Sequence, residues 1–406
     1  MIRRRAPRAA LLASAACAIA AGDAQATAFQ LREGSAAAQG ASLAGRTAND
    51  RDVSFALANP AALRGVEGGE VSGGLSGILI LTEARASGTG GLGPGFDTED
   101  EPGGAAAIPS FAAGWRWSDE IVIGLTVQAP FGLSTEYDRD FVGAFDGVES
   151  ALETIAVTPL LAFEPADGLA IAGGPVIQYA HAKLTSLRAP GELIELEGDD
   201  IALGFKLGAL LDIGSRTTAG LAFSYGIEHT LEGEFTNYPP PFAGDGEAEL
   251  PLPAVASVGV VHALRDDIRV MAEVEWTGWN AYDQITITDP DAPVPIVREE
   301  NYDNSFMAAV GGEYDWSDGL TLRAGVAYDR SPTVDATRNV SVPDSDRYWL
   351  SAGASYEVTE RIGLDAAYTL LLAEDAEVRL KRTPAPTTVS YESTIHLLSV
   401  NARYRW

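Results

Sequence analysis

Cysteine is almost missing: the chain of 406 residues has one, Cys17. That excludes a disulfide framework and a cysteine-based zinc site. Basic residues are scarce too, 28 Lys+Arg against 57 Asp+Glu, for a formal charge of −29. So acidic a chain repels phosphate backbones, which excludes nucleic acid as a partner. After residue 25 no apolar run reaches the roughly eighteen residues of a membrane helix. The four histidines, His181, His229, His262 and His396, lack metal-ligand spacing. No G-x-S-x-G elbow is present. The lone G-x-G-x-x-G, Gly88–Gly93, sits in a glycine-rich loop with no helix pattern after it, so it holds no dinucleotide. No catalytic constellation, metal site or cofactor is therefore expected. The 43 glycines and 22 prolines have no triplet period, so the chain is not collagen-like. A mean hydropathy of +0.02 still permits a transmembrane barrel, because half of each strand faces a polar lumen.

The start of the chain is an address. Arg3, Arg4, Arg5 and Arg8 precede an apolar run from Ala9 to Gly22 and then Ala24-Gln25-Ala26. A basic region, a short apolar region and a small-residue site make a secretory signal over residues 1–26, read by the Sec route. Its removal takes four arginines and Asp23, so the formal charge falls from −29 to −32. A lipid anchor would need Cys17, but Ser14 stands where a leucine is usual.

Residues 27–68 are rich in Ala, Gly and Ser and carry no alternation, while residues 69–406 are dominated by strand patterns. Leu221, Phe223, Tyr225 and Ile227 share one face; Ile201 to Ile213 form a second apolar row at every other residue. Ile268, Val270, Ala272, Val274 and Trp276 alternate with Arg269, Met271, Glu273 and Glu275. Ile362, Leu364, Ala366, Tyr368 and Leu370 alternate with Gly363, Asp365, Ala367 and Thr369. A period of two places each set on one side of a sheet. The runs match the roughly 9–11 residues of a tilted membrane strand. The opposite face is small, polar or charged, which predicts apolar side chains facing lipid and polar ones facing inward.

Connections alternate between tight turns, such as Ala166-Asp167-Gly168 and Ser317-Asp318-Gly319, and long loops, such as residues 87–104 and 333–344. Short periplasmic turns and long outer loops predict an all-β, up-and-down antiparallel barrel of about fourteen strands. Trp115, Trp117, Phe163, Tyr314 and Trp316 lie beside the short turns, as an interfacial girdle would. The last strand places Leu398, Val400, Ala402, Tyr404 and Trp406 on one face, which reads as an outer-membrane assembly signal for the barrel assembly machinery.

Several segments resemble the FadL family of outer-membrane transporters for long-chain fatty acids and other hydrophobic compounds. They are residues 27–31 (Thr-Ala-Phe-Gln-Leu), Asn59-Pro60-Ala61, residues 130–137 beginning Pro130-Phe131-Gly132, residues 325–332, and residues 342–353. They occur in the family's order across almost the whole chain after the signal. The resemblance implies a plug, or hatch, over residues 27–68 inside a barrel over residues 69–406. It implies passive, ligand-gated uptake with sideways exit where the third strand is kinked, at Pro130, Phe131 and Gly132. The physics agrees, because Pro130 cannot donate to a ladder and Gly132 leaves the wall thin. Asn59 is expected to bond backbone groups freed at that kink. Phe29 and Leu31 are expected to line the pocket, with Phe55 and Leu57 as further candidates.

The favoured cargo is a long-chain fatty acid, with a neutral aromatic hydrocarbon as the alternative. The sequence departs from the fatty-acid members where a long loop after the fifth strand would form an outer groove. Ser186 and Asp303 stand where basic carboxylate ligands are placed, so Arg188, Lys206 or Arg323 would have to substitute, and Arg188 is the candidate named. The expected setting is a monomer in the bacterial outer membrane, in contact with its lipid and lipopolysaccharide. Two rivals are an outer-membrane lipolytic enzyme and a secreted acidic adhesin. Acidic loops at residues 97–101 and 289–300 read as solvated charge.

Overall fold

The computed structural model describes residues 28–236, 244–289 and 294–406; the expected signal, residues 1–26, lies outside them. The described residues form a closed antiparallel barrel of fourteen strands. These are β1 (Gly69–Ala86), β2 (Gly104–Arg116), β3 (Ile121–Gln128 and Gly132–Glu136), β4 (Glu149–Ala166) and β5 (Leu169–Ala189). Next come β6 (Glu192–Ile213), β7 (Thr217–Ser224 and Ile227–Thr236), β8 (Gly244–Leu252 and Val255–Arg265) and β9 (Ile268–Thr277 and Gln284–Thr288). The rest are β10 (Ile296–Glu299 and Ser305–Ser317), β11 (Leu320–Asp329), β12 (Arg347–Glu357), β13 (Ile362–Ala373 and Ala376–Arg379) and β14 (Thr388–Arg405). Each strand pairs with its neighbour in sequence, and β1 closes on β14 from Glu70↔Arg405 to Ala86↔Val389. Through the body of the barrel, closure pairs the described strands on both sides, apart from local breaks such as that between β2 and β3 described below.

Alternation sets the two faces, and the apolar face is the outer one. Leu203 is 72% exposed, while Asp365 on an inward row is 3% exposed. Leu207, Leu221, Val274 and Leu364 are also exposed, whereas Glu273, Glu313 and Arg403 are buried. A water-soluble sandwich would show the reverse, because burial of apolar surface drives its folding. Here lipid takes the apolar face and the polar face turns to the lumen. Tight turns join strands at the end carrying Trp115, Trp117, Tyr314 and Trp316; Gly168, at φ 76°, makes the β4–β5 turn in a backbone region that L side chains avoid.

The N-terminal segment fills the space inside. Helix α1 (Ala36–Gln39) is followed by three 3-10 turns, Arg46–Ala48, Val53–Leu57 and Pro60–Gly65, nearly all buried. Ser35, Asp52 and Asn59 start α1 and the last two turns, each accepting a backbone N–H into its side chain. Such short elements have no stability alone and depend on the wall around them. The α1 helix lies against β12, β13 and β14, and the Pro60–Gly65 turn against β4, β5 and β6.

Small residues in the wall permit this approach. A Cβ added to Gly353 of β12 would lie 2.7 Å from Gly40 Cα. Gly353→Val is therefore expected to push α1 off the wall at a cost of about 1–3 kcal/mol. Planar-bilayer recording should show a several-fold rise in small-ion conductance with heat-modifiable gel migration intact; unchanged conductance would refute this contact as a seal.

Candidate transport site

The ladder between β2 and β3 stops at Phe111↔Val127. Beyond it, Gly104–Ser110 of β2 pair with β1 alone, while Gly132–Glu136 of β3 pair with β4 alone. Sequence explains the break. Pro130 has no N–H to offer, and Pro109 on the facing strand has none either. Three residues of β3, Ala129 to Phe131, also oppose only Thr154 and Ile155 of β4, a surplus of one. A surplus residue bends the strand that carries it.

The bend turns inward and meets the N-terminal segment. Leu31 N–H donates to Pro130 O at 2.9 Å, and Gly132 N–H donates to Phe29 O at 2.8 Å. The Phe131 N–H donates to Thr154 Oγ1 at 2.9 Å, and that hydroxyl donates to Phe131 O at 2.6 Å. Residues 29–31 thus take the place that β2 would have filled. The neighbouring β2 wall is thin, since Gly104, Ala105, Ala106 and Ala107 offer little side chain.

Two chambers meet at this junction. The outer one, about 70 Å³, is walled by Leu133, Leu152, Leu196, Leu231, Leu250 and Ile285 and floored by Phe29. The Phe29 ring lies 4.5 Å from Trp279 and 5.1 Å from Tyr282, both edge-on. Edge-on aromatic pairs of this kind add about 0.5–1.5 kcal/mol each beyond burial. The lower chamber, about 130 Å³, is bounded by Leu31, Phe55 and Leu57, by the kink residues Gln128–Phe131, and by polar groups of the facing wall. Phe29 borders the first chamber and Phe131 the second, with their rings 6.2 Å apart.

Ionic contacts hold the segment in place. Arg32 pairs with Glu275 at 2.7 Å and with Asp329 at 3.0 Å, all three buried. Arg46 also engages Glu275, and Gln30 donates to it at 3.1 Å. Buried charges need partners of this quality, since removing one costs about 3–5 kcal/mol. At the chain's described start, Ala28 N–H donates to Asp344 Oδ2 at 2.9 Å. On the outside, the turn Val142–Phe145 is tied to the last loop, where Asp146 accepts from Lys381 N–H at 3.0 Å. Burial pushes the Asp146 carboxyl above its ordinary range, opposed by the amides of Lys381 and Arg382.

Residues 17–406 match the family described as outer membrane protein transport protein (OMPP1/FadL/TodX). The chain belongs to this family. The 47 kDa outer membrane protein of Pasteurella multocida is 26% identical, over 97% of this chain and 98% of its own length. The long-chain fatty acid transport protein of Escherichia coli K12 is 22% identical, over 93% and 94%. Among solved structures, a FadL homologue of Pseudomonas aeruginosa superposes with a TM-score of 0.85 at 24% identity, over 93% of this chain and 99% of that one. The Pseudomonas putida toluene transporter TodX gives 0.66 at 16%, over 87% and 94%; at these identities the two structures speak to the fold. This member of the OMPP1/FadL/TodX family is an outer-membrane transporter of hydrophobic compounds and not an enzyme.

Against that identity, the expected site residues fall into two groups. Phe29, Leu31, Phe55, Leu57, Pro130 and Phe131 all border a chamber, and a Cβ on Gly132 would meet Leu31 at 2.7 Å. Asn59 does not reach the kink. Its Nδ2 donates to Thr47 O at 2.6 Å and to Ala209 O of β6 at 3.1 Å, and its Oδ1 accepts Ala61 N–H at 3.0 Å. Asn59, Pro60 and Ala61 therefore dock the segment on β6, because the asparagine is used as a helix cap and the backbone at the kink is already satisfied. Arg188 is exposed at the outer end of β5 and borders neither chamber. Ser186 accepts from Arg382 at 3.3 Å, and Arg323 is committed to Glu313 at 2.7 Å. The β5–β6 connection is shorter than the sequence suggests: Ala189 pairs with Glu192, leaving a turn of Pro190-Gly191.

Sequence reading missed Glu275, Asp329, Asp344, Trp279 and Tyr282. A signal did exist for two of them, since Glu275 and Asp329 each lie on an inward strand row, where a charged residue needs a partner.

Proposed function

We propose that cargo passes from the outer chamber, past Phe29, into the lower chamber and then sideways into the bilayer through the gap between β2 and β3. The observation that carries this reading is the ladder break at Phe111↔Val127, which adjoins the lower chamber at Gln128–Phe131. The route keeps cargo out of water, and each buried CH₂ is worth about 0.8 kcal/mol, so a long acyl chain would be held back by an aqueous path. Residues 27–68 act as the hatch. Cargo that displaces the Phe29 ring pulls on the Leu31–Pro130 and Gly132–Phe29 bonds, which makes opening ligand-gated and passive.

Long-chain fatty acids are the cargo this reading favours, as in the Escherichia coli relative by its name. A neutral aromatic hydrocarbon is the second reading, favoured by the mainly apolar lining of the outer chamber, whose charged members are Glu197 and Glu249, and by the exposed position of Arg188. The chain is exported by the Sec route, inserted by the barrel assembly machinery and works as a monomer among outer-membrane lipid and lipopolysaccharide. The test is expression of the full chain in cells lacking their own outer-membrane route for palmitate and toluene. Palmitate uptake is expected to rise at least about tenfold over the empty vector. A rise for toluene alone selects the second reading, and no rise for either refutes the transport route.

A further inference from the structure

We propose that the barrel has a second lateral window, a slot between β6 and β7, through which neutral hydrophobic cargo passes from the lower chamber into the bilayer. The inference rests on the transport reading above and gives its uncharged cargo an exit of its own.

The β6–β7 ladder runs from Ile213↔Thr217 to Lys206↔Ser224 and resumes only at Asp199↔Glu232. Between these pairs Asp200–Phe205 of β6 face Tyr225–Leu231 of β7, a surplus of one on β7, and the Tyr225 N–H donates to Phe205 O at 2.9 Å. A simple bulge leaves a single residue out of the ladder, whereas this interruption takes in the whole of Asp200–Gly204. Glycine permits it. A Cβ on Gly226 would lie 2.9 Å from Ala254 N and from Leu252 O of β8, and one on Gly204 would lie 2.8 Å from Ile227 Cγ1. Lipid offers backbone groups no partners, so a broken ladder at membrane depth is tolerated where it borders protein or a cavity.

The cavity here is the lower chamber, whose lining includes Lys206, Ser224, Tyr225 and Ile227 around the interruption. Tyr225 borders that chamber and is also 54% exposed, so at this point the wall is one residue thick. Side chains fill the slot in place of a ladder. On the inner side Ile227 lies over Gly204, and His229 Nδ1 bonds Asp200 Oδ2 at 2.9 Å while its Nε2 has no partner. On the outer side Phe205 and Tyr225 stack with ring centroids 5.0 Å apart, beside the exposed Ile201 and Leu203. Exposed side chains change rotamer in picoseconds to nanoseconds, so a stacked pair can part without unzipping a strand.

The two breaks suit different cargo. The one between β2 and β3 is open at its outer end, where Gly104–Ser110 pair with β1 alone. The slot is pinned at both ends, by Lys206↔Ser224 and Asp199↔Glu232. Asp200 stands at it, and Asp199 and Glu228 are exposed beside it. Lys206, at its lower end, donates its ammonium to Leu57 O. An ionised carboxylate passing outward therefore meets like charge, and a neutral ring does not.

A reversible lock across the slot tests this. Cys17 is the chain's only cysteine and lies in the expected signal, so an introduced pair stands alone. Gly204→Cys with Ile227→Cys places two thiols within bridging reach. Uptake of labelled toluene and palmitate is measured in the same cells with the pair oxidised and then reduced. Oxidation is expected to lower toluene uptake at least about tenfold and to leave palmitate uptake the same in both states. Tyr225→Ala, which removes half of the outer stack, is expected to raise toluene uptake several-fold; should the cysteine pair fail to fold by heat-modifiable migration, this variant decides, and an unchanged rate overturns the slot. Toluene uptake that is equal in the oxidised and reduced states, or equal losses for both cargoes, overturns the second window and leaves the transport route standing. A wild-type chain that takes up palmitate but not toluene overturns it as well, and one that takes up neither refutes the transport reading itself.

Discussion

Removing Pro130 is expected to abolish most uptake while the barrel still folds. Gln128↔Ala156 and Gly132↔Glu153 differ by one register step, so deleting one residue between them makes β3 continuous with β4. The same deletion removes one of the two prolines at the break, leaving Pro109, and lets β3 continue beyond Val127 along Gly104–Ser110 of β2. Two restored ladder bonds at about 1 kcal/mol each would lower the open population about thirtyfold. Uptake of labelled palmitate should fall by that order, while ligand held at the outer chamber, which lies on the other side of Phe29, is kept. Uptake at the wild-type rate in a barrel of normal heat-modifiability would mean that cargo does not leave between β2 and β3.

Deleting residues 27–68 has the opposite signature. The barrel's ladders close without that segment, since β1 pairs directly with β14. Inside, however, Glu273, Glu275 and Asp329 lose Arg32, Arg46 and Thr47. The emptied lumen fills with water and its wall turns negative. Barrels only slightly larger are open aqueous pores, so conductance should rise by about an order of magnitude or more. The current should favour cations, because rings of carboxylates select them. Selective uptake of hydrophobic cargo should be lost at the same time. Wild-type conductance, or uptake that persists unchanged, would remove residues 27–68 from their role as hatch.

Both experiments turn on contacts that a sequence shows only in part. The direction of the apolar rows was legible, because a period of two fixes which side chains share a face and the opposite rows at Asp365 and Glu273 were too polar for a soluble core. The kink was legible for a local reason: Pro130 and Gly132 each defeat ladder formation through their own covalent structure. Phe29 and Leu31 were placed in the lumen by resemblance alone, and nothing in their own pattern distinguishes them from any buried pair.

Asn59 and Arg188 show where local reasoning stops. Asn59 was assigned a donor role at the kink, yet a side chain that reaches a few ångströms bonds whatever the fold brings near, and here that is Thr47 and Ala209. Arg188 shares strand parity with Ser186, but at the rim of a barrel parity no longer separates lumen from solvent, and the side chain is exposed.

The sequence by itself determined the strand period, the outward grease, the tight turns and the broken third strand, all of them properties of residues a few positions apart. Only the tertiary structure decided the pairings that span hundreds of residues: Arg32 with Glu275 and Asp329, Ala28 with Asp344, and Gly40 against Gly353. The reason is physical. Charge pairing and close packing depend on distance in space, and a barrel wrapped around its own N-terminal segment sets those distances through closure.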